Sequence, residues 1–147
     1  EFRRVLFRSS GTPNLAGIAG LRAGIQFVQT KTVKRIYLHE MKLIQTLYHG
    51  LKQMNGVKLY TQEPDMMHYA PVLSFNLEGK QSEWVGQKLN SMGIAVRAGL
   101  HCAPAAHRTM DTLEGGAVRV SPSVFTKEYE IKRFLQSVSH MTKNLEI

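Results

Sequence analysis

Gly93-Ile94-Ala95-Val96-Arg97-Ala98-Gly99-Leu100-His101-Cys102-Ala103-Pro104 is the stretch on which the reading of this chain turns. Residues 94–97 predict a short strand, and Gly99 and Pro104 punctuate the loop that follows it. That loop carries Cys102, the chain's one cysteine, so an internal disulfide is excluded. A single cysteine reads most simply as a small buried core residue. Against that, His101 lies beside it and His107 and Arg108 follow, and cationic neighbours favour the reactive thiolate.

Upstream of this stretch, Ser82 predicts a helix cap and a helix through Met92 that buries Trp84 or Val85 with Leu89. Alternation over 72–77 sets Leu73, Phe75 and Leu77 on one face of a strand, and 57–60 predicts a shorter one. Two helices come earlier still. Thr12-Pro13 reads as a cap and first helical residue, followed by an apolar stripe of Leu15, Ile18, Leu21, Ile25 and Val28. Gly17, Gly20 and Gly24 leave a strip without side chains on that helix, where another backbone can approach. The second helix, 33–54, has Ile36, Tyr37, Ile44, Leu47, Leu51 and Met54 on one side, and Asn55-Gly56 stops it.

Downstream, 117–121 predicts a strand. Thr126 predicts the cap of a last helix with a stripe of Ile131, Phe134, Leu135, Val138 and Met141. The expected order is α-α-β-β-α-β-β-α, which is an α+β fold: a short, mostly antiparallel sheet covered by helices.

The chain has 147 residues, 43% of them hydrophobic, a size and composition that suit a globular domain. No apolar run approaches the roughly 20 residues that span a bilayer, and no signal-peptide core is visible, so no membrane association is expected. One unpaired cysteine fits a reducing compartment, and cytoplasm is the expected location. The net charge of +8 raises the question of nucleic acid. Residues 1–9, Glu-Phe-Arg-Arg-Val-Leu-Phe-Arg-Ser, account for two of those charges. They resemble the translation of a sequencing adapter, so residues 1–10 are expected to lie outside the fold. The remaining basic residues are scattered without interleaved aromatics, which argues against nucleic acid. A basic helical module that binds an acidic partner stays open as a non-enzymatic reading.

Two further positions bear on chemistry. In Gly115-Gly116-Ala117-Val118-Arg119-Val120-Ser121, packing of Val118 and Val120 against helices turns Arg119 to the opposite face, among small residues. A guanidinium so placed forks onto a carboxylate; a solvated surface arginine is the plainer reading. Arg97 raises the same question and leans towards structure. Gly11-Thr12-Pro13-Asn14 opens a helix, and such an N-terminus suits a phosphate, although most are merely capped. His101, Cys102 and His107 are too few for a closed zinc site, so no metal is expected. A cysteine hydrolase pairing Cys102 with His107 lacks an orienting third group.

The three stretches 11–21, 93–104 and 116–121, in that order, resemble the C-terminal part of a class V aminotransferase-fold, pyridoxal phosphate (PLP)-dependent cysteine desulfurase. The resemblance covers essentially everything from Gly11 onward. It implies the small C-terminal domain of a fold-type I enzyme over 33–147, with 11–32 ending the large domain and connecting to it. It also implies that Cys102 takes the sulfur of L-cysteine as a persulfide, leaving L-alanine, and that Arg119, with Arg97 as a second candidate, holds the substrate carboxylate. Thr12, with Gly11, matches the residue that reaches the cofactor phosphate of the other subunit in a homodimer. His101 and His107 are candidate proton or electrostatic partners, and a sulfur-acceptor protein is implied. A mobile Cys102 loop would suit delivery to it. In such enzymes the lysine that bonds PLP lies upstream of the Gly-Thr-Pro-Asn motif, and none of the ten lysines here has that context. The chain alone is therefore expected to be inactive. Selenocysteine cleavage, or another class V reaction, is the alternative within the family.

Overall fold

A computed structural model describes residues 13–143. The elements run α1 (Leu15–Lys31), α2 (Val33–Lys52), β1 (Val57–Leu59), β2 (Leu73–Leu77), α3 (Ser82–Ser91), β3 (Arg97–Gly99), α4 (Pro104–Thr109), β4 (Ala117–Val120) and α5 (Glu128–Lys143). The chain divides between Arg35 and Ile36 into two compact units.

The first unit is essentially α1. Asn14, not Thr12, caps it: the Asn14 side-chain oxygen accepts from Gly17 N–H at 2.9 Å. Gly11 and Thr12 lie outside the described residues. Nothing in α1 is buried, and its stripe of Leu15, Ile18, Leu21, Ile25 and Val28 is exposed. Among the described residues nothing comes within 4 Å of a Cβ built at Gly20 or Gly24. The glycine strip is open.

The second unit is built on a four-stranded antiparallel sheet in the order β1-β2-β4-β3. Phe75 sits opposite Leu59 and Val118, and Leu73 opposite Val120, so alternation places these side chains on one face. Ile44, Leu47 and Leu51 of α2, Val85 and Leu89 of α3, and Ile131, Phe134 and Val138 of α5 pack there to make the core. The architecture is α+β, with a short antiparallel sheet covered by helices on one face. The opposite face carries Lys58, Ser74, Asn76, Arg97, Ala117 and Arg119.

Three local expectations change. The strand expected over 94–97 forms two to three residues later, because only Arg97–Gly99 pairs with β4. The strand count is as expected, but a short helix, α4, interrupts the last β-β connection. Thr126 does not cap α5; its hydroxyl accepts from Ser123 N–H, and the helix begins at Glu128.

Candidate active site

β3 is an edge strand, and its register with β4 sets Arg97 directly opposite Arg119, with Ser74 opposite Arg119 on the other side. Two like charges directly across a sheet repel each other. Among the described residues no carboxylate lies within ion-pair distance of either guanidinium. Arg119 Nε is buried and has no hydrogen-bond partner. A buried, permanently protonated N–H without an acceptor is costly and needs explaining. Together these features leave positive charge and a free donor on the face of the sheet opposite the core, an arrangement that suits a small anion such as a carboxylate.

The chain leaves β3 through Gly99 (φ 103°) and enters a tight turn at His101 and Cys102. Both take left-handed backbone, φ 52° and 58°. Non-glycine residues seldom adopt that conformation, and it clusters at functional sites. Ala103 N–H closes the turn onto Leu100 O at 2.9 Å, and Pro104 then occupies the first position of α4, where its missing N–H costs nothing. Cys102 is exposed, so the plain reading of a buried core thiol does not apply.

His101 Nε2–H donates to the Ala117 carbonyl oxygen at 2.8 Å. Burial holds the imidazole below its usual pKa. The Ala117 bond works against this, while the positive charges of Arg119, His107 and Arg97 work with burial. A carbonyl can only accept, so the proton of the neutral ring sits on Nε2 and the lone pair on Nδ1. That Nδ1 is buried and unpartnered. His107, on α4, is buried with Nδ1 2.7 Å from Thr112 Oγ1, and its ring lies 5.8 Å from that of His101. Neither histidine hydrogen-bonds to Cys102 among the described residues, so no cysteine–histidine hydrolase pair is assembled.

Beside the turn is a mainly apolar cleft of about 370 Å³, lined by His101 and His107 with Tyr60, Tyr69, Ser74 and Thr112. Cys102 and Arg119 do not line it, so this cleft borders the candidate chemistry without containing it. Sequence reasoning missed Ser74 and Thr112. Ser74 could have been found, since it alternates with Leu73 and Phe75 on a strand already recognised. Thr112 could not, because it lies in the loop after α4, where no periodicity marks a residue.

These residues fit one side of a PLP site only. The unpartnered Arg119 Nε and the paired guanidinium groups suit the acidic end of an amino acid. No lysine lines the cleft, and the lysine of the sheet, Lys58, lies over the Tyr60 ring.

The class-V aminotransferase model matches residues 5–134, beginning inside the stretch that resembles an adapter. This chain belongs to the class-V aminotransferase family. A probable cysteine desulfurase of Synechocystis sp. is 32% identical over 129 residues, covering 88% of this chain and 30% of that protein. The apo cysteine desulfurase of Thermococcus onnurineus NA1 superposes with a TM-score of 0.83 at 32% identity, covering 92% of this chain and 33% of that one. A lysine variant of C-DES with glycine covalently linked to its PLP cofactor shares the fold, at 23% identity and TM-score 0.62, over 82% of this chain and 28% of that one. The class V chain spans between 14% and 32% of the length of curated relatives it matches.

Proposed function

We propose that this chain is the sulfur-accepting part of a longer, PLP-dependent cysteine desulfurase, which converts L-cysteine to L-alanine and leaves the sulfur as a persulfide on Cys102. The observation that carries this reading is the exposed Cys102 thiol, held in a turn one short strand away from two uncompensated guanidinium groups. The similarity to proteins named cysteine desulfurases supports the substrate.

Arg119 accepts the substrate carboxylate as a two-pronged donor, and its free Nε–H is one prong. Arg97, directly opposite, adds positive charge to the same place. The Cys102 thiolate attacks the substrate sulfur. An S–S bond forms as the substrate's Cβ–S bond breaks, and the carbon takes up a proton and leaves as alanine. PLP, when bound, acts as an electron sink that eases loss of the substrate's α-proton. The lysine that bonds it belongs to the protein outside these residues. Thr12 and Gly11, beyond the described residues, would reach the cofactor phosphate of a partner subunit in a homodimer. The exposed persulfide would pass to a sulfur-acceptor protein. In this reading α1 packs its open glycine strip on the large domain, and the protein is cytoplasmic. No helix among the described residues is long and apolar enough to cross a membrane.

Replacing Cys102 in the full-length protein tests the reading. Cys102→Ala should lower alanine formation from L-cysteine by on the order of a hundredfold or more, as removal of a nucleophile does. Unchanged turnover would refute it. The 147-residue chain, mixed with PLP, should develop no absorbance band of lysine-bound cofactor.

A further inference from the structure

Two hydrogen bonds pin the thiol-bearing turn to the rest of the fold. Gly99 N–H, at the end of β3, donates to Ser82 Oγ at the start of α3 (3.2 Å). Beyond it, His101 Nε2–H crosses to the Ala117 carbonyl oxygen of β4. The second bond comes from inside the turn itself. His101 and Cys102 are consecutive non-glycine residues with positive φ, a conformation that persists only where the surroundings impose it. Ala117 lies two residues before Arg119, on the same strand and the same face.

We infer that His101 is a positioning residue: its ring ties the Cys102 turn to the strand bearing Arg119, so that thiol and guanidinium keep a fixed separation. This inference rests on reading Cys102 as the sulfur acceptor.

The chemistry of the ring supports the role. The imidazole is kept neutral, and the carbonyl partner fixes its tautomer, so it works as a one-bond strut and carries no charge of its own. Its remaining nitrogen, Nδ1, is a buried acceptor without a partner, while Arg119 Nε is a buried donor without a partner. The ring therefore adds no positive charge beside a strand pair that already holds two guanidinium groups. The arrangement also changes how the thiol is presented. Where a mobile loop would suit delivery, the structure offers a short turn anchored at Gly99 and at His101 and continued directly into α4. The acceptor must then come to the thiol.

The test uses the full-length protein with three substitutions. His101→Ala removes the strut, and His101→Asn carries an amide too short to reach Ala117. His101→Gln places a side-chain N–H where Nε2 stands. Backbone amide exchange over 99–104 is measured against exchange over 41–51 in the core. Loss of the one tie should speed exchange of the turn about fivefold in the Ala and Asn variants, with the core reference unchanged. Alanine formation should lose about tenfold in kcat, because the nucleophile is misplaced, while KM for L-cysteine stays within about twofold. His101→Gln should recover most of both. The proposal fails if exchange of the turn is unchanged in the Ala and Asn variants, or if KM rises while kcat holds. It also fails if the Gln variant is as impaired as the Ala variant. Absence of alanine formation by the wild-type protein would refute the proposed function instead, and the exchange measurement would still decide whether His101 holds the turn.

Discussion

Arg119 combines a buried, unpartnered Nε–H with a second guanidinium directly across the ladder, and a carboxylate between the two would relieve both costs. Its identity should therefore matter more than its charge. Arg119→Lys keeps the charge and loses the planar fork, so KM for L-cysteine in the full-length protein should rise by about tenfold or more. An unchanged KM would place the carboxylate elsewhere. His101 allows a second prediction. Its folded pKa lies below the ordinary 6.5, first because of burial. The folded state therefore binds fewer protons than the unfolded chain in the interval between the two values. The stability this contributes is complete above pH 6.5 and is lost as pH falls from there towards the folded value. On acidification below 6.5, the denaturant midpoint of the wild-type protein should fall more steeply than that of His101→Gln. Parallel curves would contradict this. The face of Arg119 was legible from the alternation of Val118 and Val120. The ring partner of His101 was not, because it depends on a contact across 16 residues that no local pattern records.

At the scale of elements, the base of the Cys102 turn depends on two strands coming unusually close. A Cβ at Gly116 would lie 2.6 Å from Ser82 Oγ and 2.7 Å from Gly99 Cα, and Gly116 has φ 60°. Gly116→Ala should cost about 2 kcal/mol or more, combining left-handed strain with a backbone clash that cannot relax cheaply. A denaturation midpoint equal to wild type would refute that account. The two amphipathic helices were legible because a long apolar stripe is a strong signal: Ile44, Leu47 and Leu51 in α2, and Ile131, Phe134 and Val138 in α5, are all buried as their spacing implies. Met41, Leu43 and Tyr48 were missed on α2, whose buried face is wider than the stripe. Short elements were less legible. Ile94 and Val96 look like strand residues but lie outside the ladder, which begins at Arg97. Asn14 caps α1 through its bond to Gly17, and sequence alone does not choose it over Thr12, which lies outside the described residues, because both are good caps.

The second unit has its own core, with Phe75 fully buried at its centre and edge-on to Phe134 at 5.9 Å. Phe75→Ala should cost about 3–5 kcal/mol in the full-length protein, and it removes a side chain on the far face of the sheet from Arg119. The α+β class was readable because helical and strand periodicities alternate cleanly along the chain. The candidate site was readable only in parts. Cys102, Arg97 and Arg119 could be named from their stretches, but that Arg97 stands directly opposite Arg119 depends on the register of β3 with β4.

The most direct measurement is peptide mapping of the full-length protein after a single turnover with L-cysteine and no sulfur acceptor. The account predicts that the peptide containing Cys102 gains the mass of one sulfur atom, removable by a thiol reductant, in step with one equivalent of alanine. Alanine formed while Cys102 remains an unmodified thiol would contradict it.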